Sequence, residues 1–490
     1  MITKIQAAHL LDGYKTGHKP QYPDGTEAVY SNLTARKSRI PGLTEVSYMG
    51  LNFFIKEYLI DRFNETFFNK PKEEVLAAYD RRMNNYLGPK AVDSSHIGEL
   101  HDLGYLPIRI KSLPEGAKVS IGVPMFTIIN TIPSFFWLPN YLETIISNIM
   151  WKPITSLTTA RLYRERFKLH ADKVGYGPEV IQWQGHDFSM RGMAGLEDSL
   201  ISAAAHLIAF TGTDCVPAID FLEMYYNADS DKELVGGSVP ATEHSVMCMG
   251  QKESEIETFR RLITKVYPKA FISIVSDTWD YWKVLTVYIP QLKPEILARE
   301  GRVVLRPDSG DPVKIICGDP SATEEHVRKG SYELLWEIFG GTIVNGYKVL
   351  HPNIGLIYGD SITTERQDQI LTQLEEKGFS ASNLVLGIGS FTYEYVTRDT
   401  HGMAMKATWG VVDGEPREIF KDPATDDGTK KSAKGLLHVY KDEEGKYRLK
   451  DQCTPEEEAS GELKVVFENG KLIKDYTLAE VRANFENSLQ

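Results

Sequence analysis

From about residue 178 to 400 the chain repeats one rhythm. A short apolar run stops at small or polar residues, and an apolar stripe at helical spacing follows. Residues 180–183 run into Gly185-His186-Asp187-Phe188-Ser189-Met190-Arg191-Gly192, and residues 206–210 into Thr211-Gly212-Thr213-Asp214. The same change follows 271–275 (Ser276-Asp277-Thr278), 303–305 (Arg306-Pro307-Asp308-Ser309-Gly310), 354–357 (Tyr358-Gly359-Asp360-Ser361) and 384–386 (Gly387-Ile388-Gly389-Ser390). Amid these units, Gly237-Ser238-Val239-Pro240-Ala241-Thr242-Glu243-His244-Ser245 reads as a loop of fixed course. A long helix is expected after it, with Met247, Ile256, Phe259, Leu262 and Ile263 in its stripe. Strands alternating with helices at this spacing predict βα units and a parallel sheet.

The flanks follow other patterns. Residues 7–17 give a short helical signal and 28–35 a strand; 51–112 read as amphipathic helices carrying Phe53, Phe54, Tyr58, Leu59 and Phe63. Residues 118–132 alternate as strands do, and 138–163 are helical again. Beyond 400 the chain is β-rich, with hairpins over 437–449 and 463–472 turning at Asp442-Glu443-Glu444-Gly445 and Asn469-Gly470. A helix closes the chain, with Thr477 as its cap and Glu480 at the capping-box position. The fold class is therefore α/β: an irregular parallel βα (TIM-like) barrel over 178–400, plus an α+β domain. That domain is built from an N-terminal segment, 1–177, and a β-rich C-terminal segment, 401–490, whose strands pack together.

Candidate chemistry sits just past the strands: Asp187, Arg191, Asp214, His244, Asp277, Arg306, Asp308 and Asp360. A closed barrel gathers such positions at its C-terminal mouth, and an open doubly wound sheet gathers them along one edge. No GxGxxG follows an early strand, and GxxxxGK[ST] and HExxH are absent, so dinucleotide-fold, P-loop and zincin chemistry are disfavoured. Arg191 and Arg306 can fork onto phosphate oxygens. Asp308 and Asp360 can hold Mg²⁺ through water or accept from sugar hydroxyls, and a turn such as Gly387-Ile388-Gly389-Ser390 offers backbone N–H groups to a phosphate. A strand-end aspartate can equally be no more than a helix cap.

Charge and cysteine usage narrow the partners. The net charge of −12 argues against nucleic acid. Cys215, Cys248, Cys317 and Cys453 form no CxxC pair, which suits a reducing cytoplasm. No apolar stretch is long enough to span a bilayer, and no secretion signal opens the sequence.

Together the motifs resemble one family. Asp12-Gly13-Tyr14-Lys15, His186-Asp187-Phe188 with Arg191-Gly192, Gly212-Thr213-Asp214, the segment 238–245, Arg306-Pro307-Asp308-Ser309-Gly310, Gly359-Asp360 and Thr397-Arg398-Asp399 are similar to the nicotinamide phosphoribosyltransferases of the type II phosphoribosyltransferase family. Phe420-Lys421-Asp422-Pro423 and Lys430-Lys431-Ser432 match as well. The resemblance implies transfer of the 5-phosphoribosyl group from 5-phosphoribosyl 1-pyrophosphate to nicotinamide, in a homodimer with shared sites. It implies Mg²⁺ carried on the substrate pyrophosphate, and ATP as an optional coupling substrate that phosphorylates His244.

The resemblance also assigns roles. Phe188 and the partner's Tyr14 would sandwich the pyridine, Asp214 would accept from the carboxamide, and Ser273 would line the pocket. Arg306 and Asp308 would hold ribose and pyrophosphate, Arg191 and His244 the pyrophosphate, and Gly359 and Asp360 the ribose hydroxyls. Ser390 with the partner's Arg398 and Lys406 would take the 5′-phosphate; Arg36, Lys421 and Lys430 would serve ATP phosphates beside His244. His244, Asp308, Arg306 and Asp214 are the expected catalytic set. Two positions depart from the family pattern: Ser390 replaces a glycine and Ala404 a phosphate-binding serine. Nicotinate phosphoribosyltransferase is the near alternative, with Asp214 as arbiter, since an anionic aspartate repels a second carboxylate. A non-catalytic phosphate-sugar sensor is the alternative from another class.

Overall fold

The computed structural model describes residues 5–359, 361–421 and 433–489, folded as two compact units. One comprises Thr159–Phe221 and Asp229–Tyr395. Its six parallel strands are Gly185–Asp187, Gly212–Thr213, Ile272–Val275, Val303–Arg306, Ile354–Tyr358 and Leu384–Ile388. Laterally they run second, first, sixth, fifth, fourth, third, so the strands at 212 and 272 form the two edges.

The segment 237–242 fills the gap between those edges. Gly237 bridges Gly212 and Ala241 bridges Ser273, both in parallel. Ser273 N donates to Pro240 O at 2.9 Å, and Thr242 N to Ser273 O at 2.9 Å. Proline has no N–H to give, so this segment cannot run a full ladder and closes the ring by bridges. The result is the expected βα barrel, irregular because one stave is not a regular strand. Ile274, Leu305, Leu356 and Leu386 are fully buried on its strands, each such side chain contributing about 1.5–3 kcal/mol of burial.

Four local expectations change. Residues 180–183 belong to the helix Pro178–Gln184, because Pro178 opens a helical turn and the strand itself is the polar Gly185–Asp187. Residues 206–209 end the helix Leu196–Ala209, and the strand after it is only Gly212–Thr213. The helix after His244 is two pieces, His244–Met249 and Glu255–Arg261, split where Gln251 turns left-handed at φ 65°. Residues 108–112, read as helical, form the strand Ile108–Ser112, alternately buried.

The other unit comprises the described residues of Met1–Thr158, Leu222–Ala228 and Val396–Gln490. Its seven-stranded antiparallel sheet runs, edge to edge, Glu415–Glu418, Met403–Val412, Thr26–Ala35, Pro124–Asn130, Ile108–Ser112, Lys464–Glu468, Lys471–Leu472. Strands from both chain ends thus share one sheet, as the α+β reading requires. The hairpin Leu436–Lys441/Tyr447–Cys453 stays outside that sheet but lays Leu436 and Leu437 on Tyr30.

The division falls inside the helix Glu143–Val174. Residues 159–177 join the barrel unit because Tyr163, Arg166, His170 and Lys173 bind Ile362, Asp368 and Glu375. Residues 222–228 leave it because Tyr226 donates to buried Glu115 at 2.8 Å and Tyr225 to Glu57 at 2.7 Å.

The closing helix Leu478–Ser488 begins with the expected capping box: Glu480 N donates to Thr477 Oγ1 at 3.2 Å and Thr477 N to Glu480 Oε2 at 2.9 Å. Thr477→Ala should lower stability by about 1 kcal/mol, read as a shift in urea midpoint at constant slope. An unmoved midpoint would show that burial of Leu478, Val481 and Phe485 holds the helix alone.

Candidate active site

Phe188, Asp214, Ser273 and Arg306, expected together, line one cavity of about 440 Å³ inside the barrel. Asp214 stands one residue past the strand Gly212–Thr213. His186 Nε2 donates to its Oδ1 at 2.9 Å, and Ser238 Oγ donates to the same oxygen at 2.9 Å. Both donors converge on Oδ1, which leaves Oδ2 for a ligand. Burial pushes the Asp214 carboxyl up, but hydrogen bonds from His186 and Ser238 and the charge of Arg306 outweigh it and hold it below the usual range. Gly212 permits the close approach: a Cβ there would lie 2.7 Å from His186 Nδ1.

The His186 and Phe188 rings lie 4.5 Å apart, making an aromatic wall beside the carboxylate. A flat, uncharged ring with an amide N–H suits this slot. Asp187 plays no part in it. Its carboxylate is wholly buried and accepts from Ser189 N, Ser189 Oγ and Thr213 Oγ1 at 2.6–2.9 Å, bracing the strand ends.

A second group surrounds Asp277. Its Oδ2 accepts from Asp308 N at 2.9 Å and Ser309 Oγ at 2.6 Å, while its buried Oδ1 has no hydrogen-bond partner. His244 opens the helix His244–Met249 with its side chain 51% exposed; Nε2 lies 3.9 Å from Asp277 Oδ1 and Nδ1 3.3 Å from Thr278 Oγ1. Arg306 donates to Thr242 O at 2.9 Å, and its Nε is 3.4 Å from Asp308 Oδ2. Gly359 presses on the same carboxylate, since a Cβ there would lie 2.5 Å from Asp308 Oδ1. Ser390 starts the short helix Ser390–Glu394 against Gly192, and Arg191 is exposed in the turn Met190–Gly192.

The remaining expected residues lie in the other unit. Tyr14 is exposed in the turn Gly13–Gly17, pinned by a Lys15–Glu143 ion pair and by Thr144 Oγ1 donating to Asp12 at 3.1 Å. Tyr14 and Arg398 line one recess of about 300 Å³. Burial, then the charges of Lys421, Arg36 and Arg398, lowers the Lys406 ammonium, so these four cations share one field. Such a field favours a polyanion. Asp360 and Lys430 lie outside the described residues.

Among the described residues no group of three or more His, Cys, Asp or Glu side chains could hold a metal ion. In the sequence Asp277 stands at a strand end without an assigned role, and His186 appears only within a motif. Their position past a strand and two before Phe188 was the available signal.

Residues 183–471 match the nicotinate phosphoribosyltransferase (NAPRTase) family model. The chain is 52% identical over 503 residues to the nicotinamide phosphoribosyltransferase of Acinetobacter baylyi, covering 100% of this chain and 99% of that one. It is 32% identical over 481 residues to the protein of that name from Xanthomonas campestris pv. campestris, covering 96% of each. Among solved structures, nicotinate-nucleotide pyrophosphorylase from Pyrococcus furiosus aligns with a TM-score of 0.60 at 14% identity, covering 99% of this chain and 95% of that one. That last likeness is one of fold.

Proposed function

The chain belongs to the nicotinate phosphoribosyltransferase (NAPRTase) family, and from that premise we propose that it makes nicotinamide mononucleotide and pyrophosphate from nicotinamide and 5-phosphoribosyl 1-pyrophosphate, a step of NAD salvage. One observation carries the choice of pyridine: an ionised Asp214 with a free oxygen beside an aromatic wall. It accepts from a carboxamide and repels a carboxylate, so nicotinate is disfavoured.

The transfer is a displacement at the anomeric carbon. The pyridine nitrogen bonds to that carbon as the bond to pyrophosphate oxygen breaks, and the leaving pyrophosphate takes the electron pair. No protein nucleophile is needed. Phe188, Ser273 and Asp214 orient the pyridine, and the partner's Tyr14 covers its other face. Arg306 and Arg191 neutralise the departing pyrophosphate, while Asp308 faces the cationic sugar. Gly359 and Asp360 take the ribose hydroxyls; Ser390, with the partner's Arg398 and the partner's Lys406, takes the 5′-phosphate.

Mg²⁺ fits this site as a companion of the substrate. The free Asp277 Oδ1, with Asp308, would hold its water shell, and the ion would supply charge neutralisation to the pyrophosphate. ATP would phosphorylate His244, with Arg36, Lys421 and Lys430 on the nucleotide phosphates. A cytoplasmic homodimer is part of the same proposal; the four free cysteines suit a reducing compartment, and no described helix is long and apolar enough to cross a membrane.

Pyrophosphate release with nicotinamide and with nicotinate, side by side in Mg²⁺, tests the reading. Nicotinamide should support turnover and nicotinate little. Preference for nicotinate would overturn the substrate, and release with neither would favour a non-catalytic phosphate-sugar sensor.

A further inference from the structure

A single buried hydroxyl joins two barrel loops that the reaction uses together. Tyr163, on the helix Glu143–Val174, is wholly buried. Its hydroxyl donates to the carbonyl of Ile362 at 2.7 Å and lies 3.3 Å from Thr392 Oγ1. Thr392 Oγ1 donates to the same carbonyl at 3.3 Å. Ile362 follows the strand Ile354–Tyr358, on the loop that begins with Gly359. Thr392 is two residues beyond Ser390, in the helix Ser390–Glu394.

The loop at Ile362 needs holding. Ser361 has φ 57°, a left-handed conformation that a non-glycine residue keeps only where its surroundings over-determine it. The Arg366 guanidinium donates to Ser361 O, and Thr363 caps the helix Thr364–Glu376. From that helix Gln367 Nε2 donates back to Tyr163 O at 3.0 Å. Tyr163 therefore both fixes the loop and is fixed by the element that follows it. Burial pushes its phenol above the ordinary range, so the hydroxyl remains a donor at neutral pH.

We infer that Tyr163 is a positioning residue for 5-phosphoribosyl 1-pyrophosphate, setting the spacing between the ribose loop and the 5′-phosphate turn. The inference rests on the function proposed above, which gives those two loops to one substrate. The pyridine side chains hang from other strands: Phe188 after Gly185–Asp187, Asp214 after Gly212–Thr213, Ser273 within Ile272–Val275. A change in the Tyr163 spacing should reach the sugar phosphate and spare the pyridine.

Tyr163→Phe keeps the ring and deletes only the hydroxyl. Losing that shared hydrogen bond should raise KM and Kd for 5-phosphoribosyl 1-pyrophosphate on the order of tenfold. KM for nicotinamide should stay within about twofold. Thr392→Val should act in the same direction, and the double variant should lose less than the two single losses combined. Calorimetric titration with 5-phosphoribosyl 1-pyrophosphate and steady-state kinetics read both quantities. Equal shifts in both KM values, or a lower melting temperature with neither KM moved, would assign Tyr163 to general stability and overturn the inference. If Tyr163→Phe does not fold, Thr392→Val decides by the same readings. A wild-type protein that neither binds nor consumes 5-phosphoribosyl 1-pyrophosphate overturns this inference and the proposed function together. A working wild type with an unaltered Tyr163→Phe overturns this inference alone.

Discussion

In the His244→Ala protein, ATP no longer stimulates pyridine transfer, and no phosphate from γ-labelled ATP stays on the chain. The His244 ring is half exposed at a helix start, where a nucleotide can reach it, and Thr278 and Asp277 flank its two nitrogens. In the proposed coupled reaction an imidazole nitrogen would bond to the γ-phosphorus as the bond to ADP breaks, ADP leaving with the electron pair. Alanine has no atom for that bond, so labelling should fall from about one phosphate per chain to none. Uncoupled transfer should also fall, because the proposed function gives the same ring to the pyrophosphate. If His244 were only a polar helix start, alanine would change neither quantity appreciably. Acid-labile, base-stable label on wild type and none on the variant is the result to look for. Equal label on both would remove His244 from the chemistry.

Asp214→Asn should narrow the preference for nicotinamide over nicotinate by on the order of a hundredfold. His186 and Ser238 both donate to Oδ1, so an asparagine keeps its carbonyl there and turns its NH₂ toward the ligand. In the proposed site, the atom meeting the pyridine substituent would change from an anionic acceptor to a neutral donor. Nicotinamide can respond by turning its own carbonyl inward, so it loses charge assistance rather than all binding, about 1.5–3 kcal/mol. Nicotinate exchanges a repulsion for a hydrogen bond. If Asp214 merely capped the following helix, asparagine would serve nearly as well and neither substrate would respond. The measurement is kcat/KM for both pyridines in wild type and variant at one pH; an unchanged ratio retires Asp214 as selector.

The same aspartate sets a sign for pH. Its folded-state pKa is depressed, so its stabilising contribution is present above the unfolded value and is lost as pH falls through the folded one. Selectivity for nicotinamide should erode on that acid side and not through neutrality.

What the sequence made legible follows from strand chemistry. Strands with apolar cores, at 272, 303, 354 and 384, were placed by their runs, and the polar residues after them marked the mouth. Gly185–Asp187 and Gly212–Thr213 could not be placed so. They are two or three residues long, and small or polar side chains fill them where a cavity lined by His186, Phe188 and Asp214 occupies the barrel. The apolar runs beside them belonged to helices. The hairpin Gly341–Val344/Tyr347–Leu350 went unread, although Asn345-Gly346, with φ 50° and 85°, is the turn that a tight hairpin prefers. Tyr14, Arg36, Arg398, Lys406 and Lys421 carried no periodic signal and entered only through family resemblance. Asp277 shows the limit of reading by position: a strand-end carboxylate is visible, but its link to Asp308 and His244 exists only in three dimensions.

The strand Thr26–Ala35 has one neighbour, Pro124–Asn130, made soon after it, and another, Met403–Val412, made near the end. At ordinary ribosomal speed Met403 emerges roughly 380 residues and 20–75 s after Thr26. Throughout that interval one whole edge of the strand is a row of unpaired N–H and C=O groups, a template for any other nascent chain. The barrel residues 159–395, by contrast, are all present before Met403 is made. A ribosome that stalls between the two would therefore release a chain with every barrel residue made and a sticky edge.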